Sequence, residues 1–491
     1  MKLFNTALSR VMLSVCLPLS ALAVASVAGA TPPPVFDDEA SEQHSSWKGI
    51  RQFGTSDIDR GYFSVADKHG NLYVTGYTEG DLDGPGPGVY AGTVDIYVMK
   101  LNPKGEVEWI RQFGSPCEDS SFAVRLDRKG YVYIAGQIGG DLIPNDGQIY
   151  RGEGCSEAGS DQRDGDDAFV MKLDGNGNMK WLRQFGTADD DANFGLDLDS
   201  RGNAYVTGYT WGDIDGDGPD VHAGQEDVFM ASFDPNGNQR WIRQIGTTEA
   251  DVAYAVAVDD PRGGVYATGF SIGNFDNSPV PKLNAGGQDI IAVRFDNHGG
   301  LHWVRQFGTS GDDNAYAIAV DHNEHLYLSG YVSGDLDGSG PDLYAGDFDL
   351  ATLKIRKNGD LQWTRQLGTP GSDFGLGVAV GHEGSAYMTG TVFGDLDGAG
   401  SQNYYGLRDV TAVKFAEDGD TQWIRQWGTP GRDWGFHIAT DEQGLIRITG
   451  QTGGDLDGPG PQQFYGAFDI FVLKFREPGL INRESGDEHE E

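Results

Sequence analysis

The segment Ile50-Arg51-Gln52-Phe53-Gly54 returns with small changes at Ile110, Leu182, Ile242, Val304, Thr364 and Ile424. Its arginines, 51, 111, 183, 243, 305, 365 and 425, stand 60, 72, 60, 62, 60 and 60 residues apart. Few folds are open to a chain of this kind. Each unit must be a supersecondary block that buries its apolar face against its neighbours.

Four short runs fill each unit. After the R-Q-x-G segment comes an Asp eight residues past the Arg, then an alternating run such as Tyr254 to Val258, then an Asp/Gly/Asn turn. A second run, such as Ala204 to Thr210, leads into a long Gly/Asp/Pro loop. A third run, such as Asp227 to Phe233, and a Gly turn precede the fourth, Arg240 to Gly246. Rich in β-branched and aromatic residues, bounded by turn residues and lacking helical periodicity, these are four strands per unit. Gly supplies 74 of 491 residues, an excess that fits turns, since Pro is at an ordinary level.

The reading is an all-β seven-bladed propeller with four antiparallel strands per blade over residues 47–475. The seventh unit stops at Asp469 to Phe475 without its own W-x-R-Q strand, and the chain offers an unattached one at Trp47 to Gly54. The N-terminal strand therefore completes the last blade and closes the ring, which removes open sheet edges. The repeated "YVTGYT…GDLDG…DxFVxKL…WxRQFG" unit resembles the bacterial β-propeller repeat family known as SBBP repeats, over nearly the whole mature chain. That resemblance implies the fold and an exported setting; it implies no defined activity.

Residues 1–30 have the parts of a secretory signal peptide: Lys2 and Arg10, an apolar run from Val11 to Val27, and Ala28-Gly29-Ala30 as a cleavage site. Val15 before Cys16 argues against a lipoprotein. The expected product is a secreted or periplasmic monomer with no membrane insertion, a flexible lead-in over 31–46 and an acidic disordered tail over 476–491. Lys+Arg 36 against Asp+Glu 74 gives a formal charge of -38, which argues against nucleic acid as a partner. Cys117 and Cys155 remain after cleavage, and pairing is the default in an oxidising compartment.

With the fourth strand outermost, both long connections of every blade lie on one face. Recurrent acids belong to it. One set is eight past the Arg (Asp59, Asp119, Asp191, Asp251, Asp313, Asp373, Asp433), and another opens the third strand (Asp95, Asp167, Asp227, Asp289, Asp349, Asp409, Asp469). Between them lies a D-x-D-G loop: Asp81 and Asp83, Asp213 and Asp215, Asp335 and Asp337, Asp395 and Asp397, Asp455 and Asp457. Asp217 adds a third acid to one of these loops, although Gly224 stands where an EF-hand has its bidentate Glu. Two readings stay open for the loops: structural calcium, which hard carboxylate oxygens suit, or turns in which Asp accepts backbone N–H bonds. For the other two sets the expectation is architectural, with the Asp after each Arg pairing with that buried Arg. The seven arginines are expected to stack on Trp between blades, because no catalyst needs seven copies.

A unique activity should lie where the repeat breaks. Gly269 to Gly273 matches G-x-S-x-G, yet it aligns with Gly76 to Gly80 at the end of a second strand and has no helix after it. Phe374 and Trp434 follow the recurrent Asp, with Tyr404, Tyr405, Phe464 and Tyr465 in neighbouring loops. They offer a stacking surface for a sugar, or else pack the loops. The expected function is a binding or scaffold module whose glycan or protein ligand sits on the acidic long-loop face. The alternative is a polysaccharide hydrolase or lyase with its site in the central funnel.

Overall fold

A strand paired along both edges, with both faces against neighbouring sheets, is buried along its whole length. The second and third strands of each unit are of this kind: Leu72–Thr78 and Val132–Ile138 are buried at every position. A computed structural model describes residues 49–84, 94–140, 165–216, 225–260, 262–275, 283–338, 346–381, 383–396, 398, 406–441, 444–456 and 466–477, all within one compact unit. They form 28 strands in seven four-stranded antiparallel sheets, and no helix occurs among the described residues. No helix of theirs is long and apolar enough to cross a membrane.

Six blades are consecutive meanders. The first runs Asp59–Ala66, Leu72–Thr78, Asp95–Leu101, Val107–Phe113, with the order on the sheet following the chain. In the seventh, Asp433–Thr440, Leu445–Thr452 and Asp469–Arg476 are completed by Gly49–Phe53, paired antiparallel from Gly49↔Lys474 to Phe53↔Ile470. The N-terminal strand thus closes the ring, and the otherwise open edge of Asp469–Arg476 is paired.

Apolar clusters sit between adjacent blades rather than within one. Tyr73, Ile96 and Val98 of the first blade pack with Val124, Ile134 and Phe169 of the second. The outer strands lock this packing. Trp109, Trp181, Trp241, Trp303 and Trp363 each donate their indole N–H to a carbonyl in the next blade's hairpin turn, at 3.0–3.2 Å. The repeated arginines lie near the tryptophan of their own strand, with Cζ 5.4–5.7 Å from the ring centroid in five blades. Their guanidinium partners differ from the expected Asp. Arg183, Arg243 and Arg365 donate to the carbonyls of Gly237, Gly299 and Gly419. A turn glycine at positive φ offers its carbonyl outward, so a planar multi-donor group fits there without a buried counter-ion.

Each inner strand carries a β-bulge at the same place, between Gly61 and Phe63 in the first blade and at the equivalent step in the other six. The bulged residues are Tyr62, Phe122, Phe194, Tyr254, Tyr316, Leu376 and Phe436. Bulges re-aim a side chain. Here they turn six aromatic rings and one leucine toward one another, with successive ring centroids 5.0–5.2 Å apart from Phe436 through Tyr62 to Tyr316. This collar narrows the central channel and is the floor of the long-loop face.

Candidate functional site

The recurrent acids are fixed by the backbone. Each Asp that opens an inner strand is 0% exposed and accepts the backbone N–H of the residue four before it: Thr55, Ser115, Thr187, Thr247, Thr309, Thr369 and Thr429 donate to Asp59, Asp119, Asp191, Asp251, Asp313, Asp373 and Asp433. The second oxygen is satisfied in two ways. Where the second strand ends in Thr, as at Thr78 and Thr452, the hydroxyl donates to it. Where it ends in Ile138, Val332 or Val392, the next backbone N–H donates instead, from Gly139, Ser333 and Phe393. Ser271 of the G-x-S-x-G segment takes the Thr place opposite Asp251 and exchanges hydrogen bonds with the Gly273 backbone, as Thr78 does with Gly80, so it is part of this scaffold. Burial outweighs these bonds and pushes the carboxyls up, to about 7 at Asp119, Asp191 and Asp251 and about 6 at Asp59, Asp313 and Asp373.

The glutamine of R-Q-x-G ties the D-x-D loop to both strands. Gln112 Nε2 donates to Asp95 Oδ2 and to the Gly80 carbonyl, both at 3.0 Å, and its Oε1 accepts the N–H of Leu82 at 3.1 Å. Gln52, Gln306 and Gln426 repeat all three bonds. Within the loops, Asp213, Asp335 and Asp395 accept the N–H three residues on, from Gly216, Gly338 and Gly398 at φ +70 to +74. Asp215 accepts the N–H of Gln244 at 2.9 Å. These are the bonds of a turn. In the first blade, burial and then the nearby Asp81 carboxylate push Asp83 up, so two acids crowd one place. Among the described residues no three His, Cys, Asp or Glu stand together as a metal-holding group. Asp217, Asp397, Asp457, Tyr404, Tyr405, Phe464, Tyr465 and Cys155 lie outside the described residues. Cys117 is buried where the chain leads into the second blade.

What varies sits at the blade junctions of the long-loop face. The backbone there repeats seven times: each inner-strand Asp donates its N–H, at 2.7–2.9 Å, to the carbonyl of the residue before the preceding blade's third strand. Those residues are Phe468, Val94, Asp166, Glu226, Gln288, Phe348 and Arg408, and beside them lie Ile58, Glu118, Asp190, Ala250, Asp312, Ser372 and Arg432. Four junctions in a row carry acid. The junction of blades six and seven carries two arginines, flanked by Phe348 on one side and Phe468 on the other. In a closed ring of seven, Arg408 and Arg432 stand three junctions from Asp166/Asp190 in one direction and three from Glu226 in the other. The two groups of charge therefore belong to opposite sides of the ring.

Phe374 and Trp434 belong to the basic side. Arg408 Cζ is 4.1 Å from the Trp434 ring, 4.3 Å from Phe393 and 5.5 Å from Phe374, and Trp434 stacks on the collar residue Phe436. Trp434 is buried, so it shapes the wall, while Phe374 is half-buried. On the acidic side Gln137 donates to Asp166 at 3.0 Å, and burial followed by the charge of Asp190 holds the Asp166 carboxyl well above its usual range. Tyr209 joins this wall to the collar through Phe194 at 5.7 Å. The junction residues escape a motif search because a motif is what repeats; aligning the seven units and reading the one column that changes sign would find them.

Residues 180–215 match the family model described as SBBP, Beta-propeller repeat. The matched segment is part of the seven-fold repeat. The chain is similar to Regulatory protein FlaEY of Caulobacter vibrioides, 23% identical over 452 residues that are 85% of this chain and 46% of that protein. It is also similar to the WD repeat-containing protein L264 of Acanthamoeba polyphaga mimivirus, 22% identical over 185 residues, 31% of this chain and 13% of that one. The chain spans less than half the length of either relative. Among solved structures, hydrazine synthase of Kuenenia stuttgartiensis aligns with a TM-score of 0.48 at 9% identity, covering 86% of this chain and 97% of the other.

Proposed function

We propose that this SBBP propeller is an exported binding or scaffold module that seats its ligand, glycan or protein, on the long-loop face, with calcium stabilising its D-x-D loops. The observation that carries the ligand seat is the contrast at the junctions, where an invariant backbone presents side chains that change from acid to arginine around the ring. Architecture would not need that variation. For calcium the support is the crowding of Asp81 and Asp83, which a divalent cation would relieve. Those two and their counterparts in the other loops would hold it, together with acids outside the described residues.

Glycan and peptide arrays probed with the mature protein, with calcium and with chelator, test the reading. Binding that Arg432→Gln weakens at least tenfold is the expected result; binding indifferent to that change would move the ligand off this face. Chelator should also lower the melting temperature by several degrees, and coincident melting curves would leave the loops as turns alone. The second reading, a polysaccharide hydrolase or lyase, draws on Asp166. Its raised carboxyl stands beside the second, non-repeated carboxyl of Asp190, the pairing that acid–base chemistry would need. Turnover of a bound glycan would select it.

A further inference from the structure

We infer that the long-loop funnel takes a dipolar peptide segment, with its cationic group against Asp190 and Glu226, its anionic group against Arg432 and Arg408, and its apolar middle on the aromatic collar. The inference rests on the ligand seat proposed above and names what would fill it.

Three observations converge. Opposite charges occupy opposite sides of one opening, as the closed ring requires of junctions three steps apart. A uniformly anionic ligand would be repelled by the arc Glu118, Asp190, Glu226 and Asp312, and a purely cationic one by the arginine pair; a molecule with both charges satisfies both. The arginine side is also set up for a planar acid. Arg408 is held against three aromatic rings, so its orientation is fixed before a ligand arrives, and guanidinium groups pair carboxylates in a forked geometry.

The third observation is independent of charge. Trp434 Nε1 and Gln451 Oε1 belong to side chains 4% and 1% exposed, on residues paired across two strands beside Arg408, and neither atom has a hydrogen-bond partner among the described residues. One is a donor and the other an acceptor. A buried polar atom left unpaired costs about 1–3 kcal/mol, so native sites that keep one usually satisfy it with a ligand or water. A peptide group, which offers one acceptor and one donor, matches the pair. The floor is six aromatic side chains and Leu376, a surface for apolar residues between the charged ends.

The probe is a capped four-residue peptide with Lys at one end, two leucines and Glu at the other, titrated calorimetrically into the mature protein. Two control peptides replace Lys or Glu by Gln. The parent should bind at least tenfold more tightly than either control. Arg432→Gln should erase the preference for Glu and keep that for Lys, whereas Glu226→Gln should do the reverse. Should Glu226→Gln not fold, Asp190→Asn carries the acidic arm. Equal affinity for all three peptides overturns the inference. If none binds while an array ligand still depends on Arg432, the seat stands and the dipolar class falls. If peptides bind without regard to Arg432, Glu226 or Asp190, both readings fall together.

Discussion

Asp95, Gln112 and Gly114 explain why R-Q-x-G returns as a block. Gln112 holds the Asp95 carboxylate, and Gly114, two residues further on, lies so close to Asp95 Oδ1 that a Cβ there would stand inside van der Waals contact. The same holds at Gly186, Gly246, Gly308, Gly368 and Gly428. The glycine is required for space, since φ at Gly114 is not positive. Gly114→Ala is therefore expected to destabilise by about 1–3 kcal/mol, the ordinary range for overpacking a filled site. Gly84→Ala is the comparison: its φ of +88 is strained for alanine, but nothing lies within 4 Å of the added carbon, so about 1 kcal/mol is expected. Denaturant midpoints measure both, and an unchanged midpoint for Gly114→Ala would refute the close approach. Repetition in the sequence showed which residues mattered without showing what they touched. The expected partner of the Arg was the Asp eight residues on; that Asp instead accepts a backbone N–H from four residues back and, in five blades, a Thr hydroxyl or a backbone N–H at the end of the second strand.

The strands were legible because their alternation and bounding turns are local properties. The bulges were not: one extra residue in an inner strand leaves the apolar pattern intact and changes only where Tyr62 or Phe194 points, so the collar emerges with the register. Ring closure was legible, since a missing strand at one end matched a spare one at the other. Its cost in detail was not. The seventh blade has no hairpin turn between its last two strands, and Glu477 fills the gap: it accepts from Tyr387 Oη at 2.9 Å and Trp423 Nε1 at 3.4 Å, and pairs with Lys414. Elsewhere a turn carbonyl receives that tryptophan. Deleting the chain through Phe53 should leave Asp469–Arg476 as an unpaired edge, with self-association as the outcome. Size-exclusion chromatography checks it; a monomer of unchanged melting temperature would mean that the first strand does not hold the ring.

Taken as a whole molecule, the propeller buries a ring of seven carboxyls whose protonated form the interior favours, and this fixes the sign of its pH response. In the unfolded chain such groups titrate near 3.9. Folded, burial holds six of them at about 6 to about 7 and raises Asp433 as well. The native state thus binds more protons than the unfolded one between roughly pH 4 and 7, so their contribution is complete below that window and is lost as pH rises through it. Turn acids act oppositely: Lys180 and the Asn178 amide hold Asp174 below its usual range, and that contribution is lost only under stronger acid. A difference of one pK unit is worth about 1.4 kcal/mol. Allowing for a few effective groups, the melting temperature in chelator should rise by about 5 °C from pH 8 to pH 5 and fall again below about pH 4. Relief of the overall charge of -38 has the same sign, so a variant must separate the two. Asp119→Asn keeps the acceptor and removes the titration, and should flatten the slope between pH 5 and 8. Asp418→Asn, an exposed change of equal charge, should leave it as it was. A melting temperature that falls steadily from pH 8 to pH 5, or equal slopes in the two variants, would mean that the buried ring stays ionised.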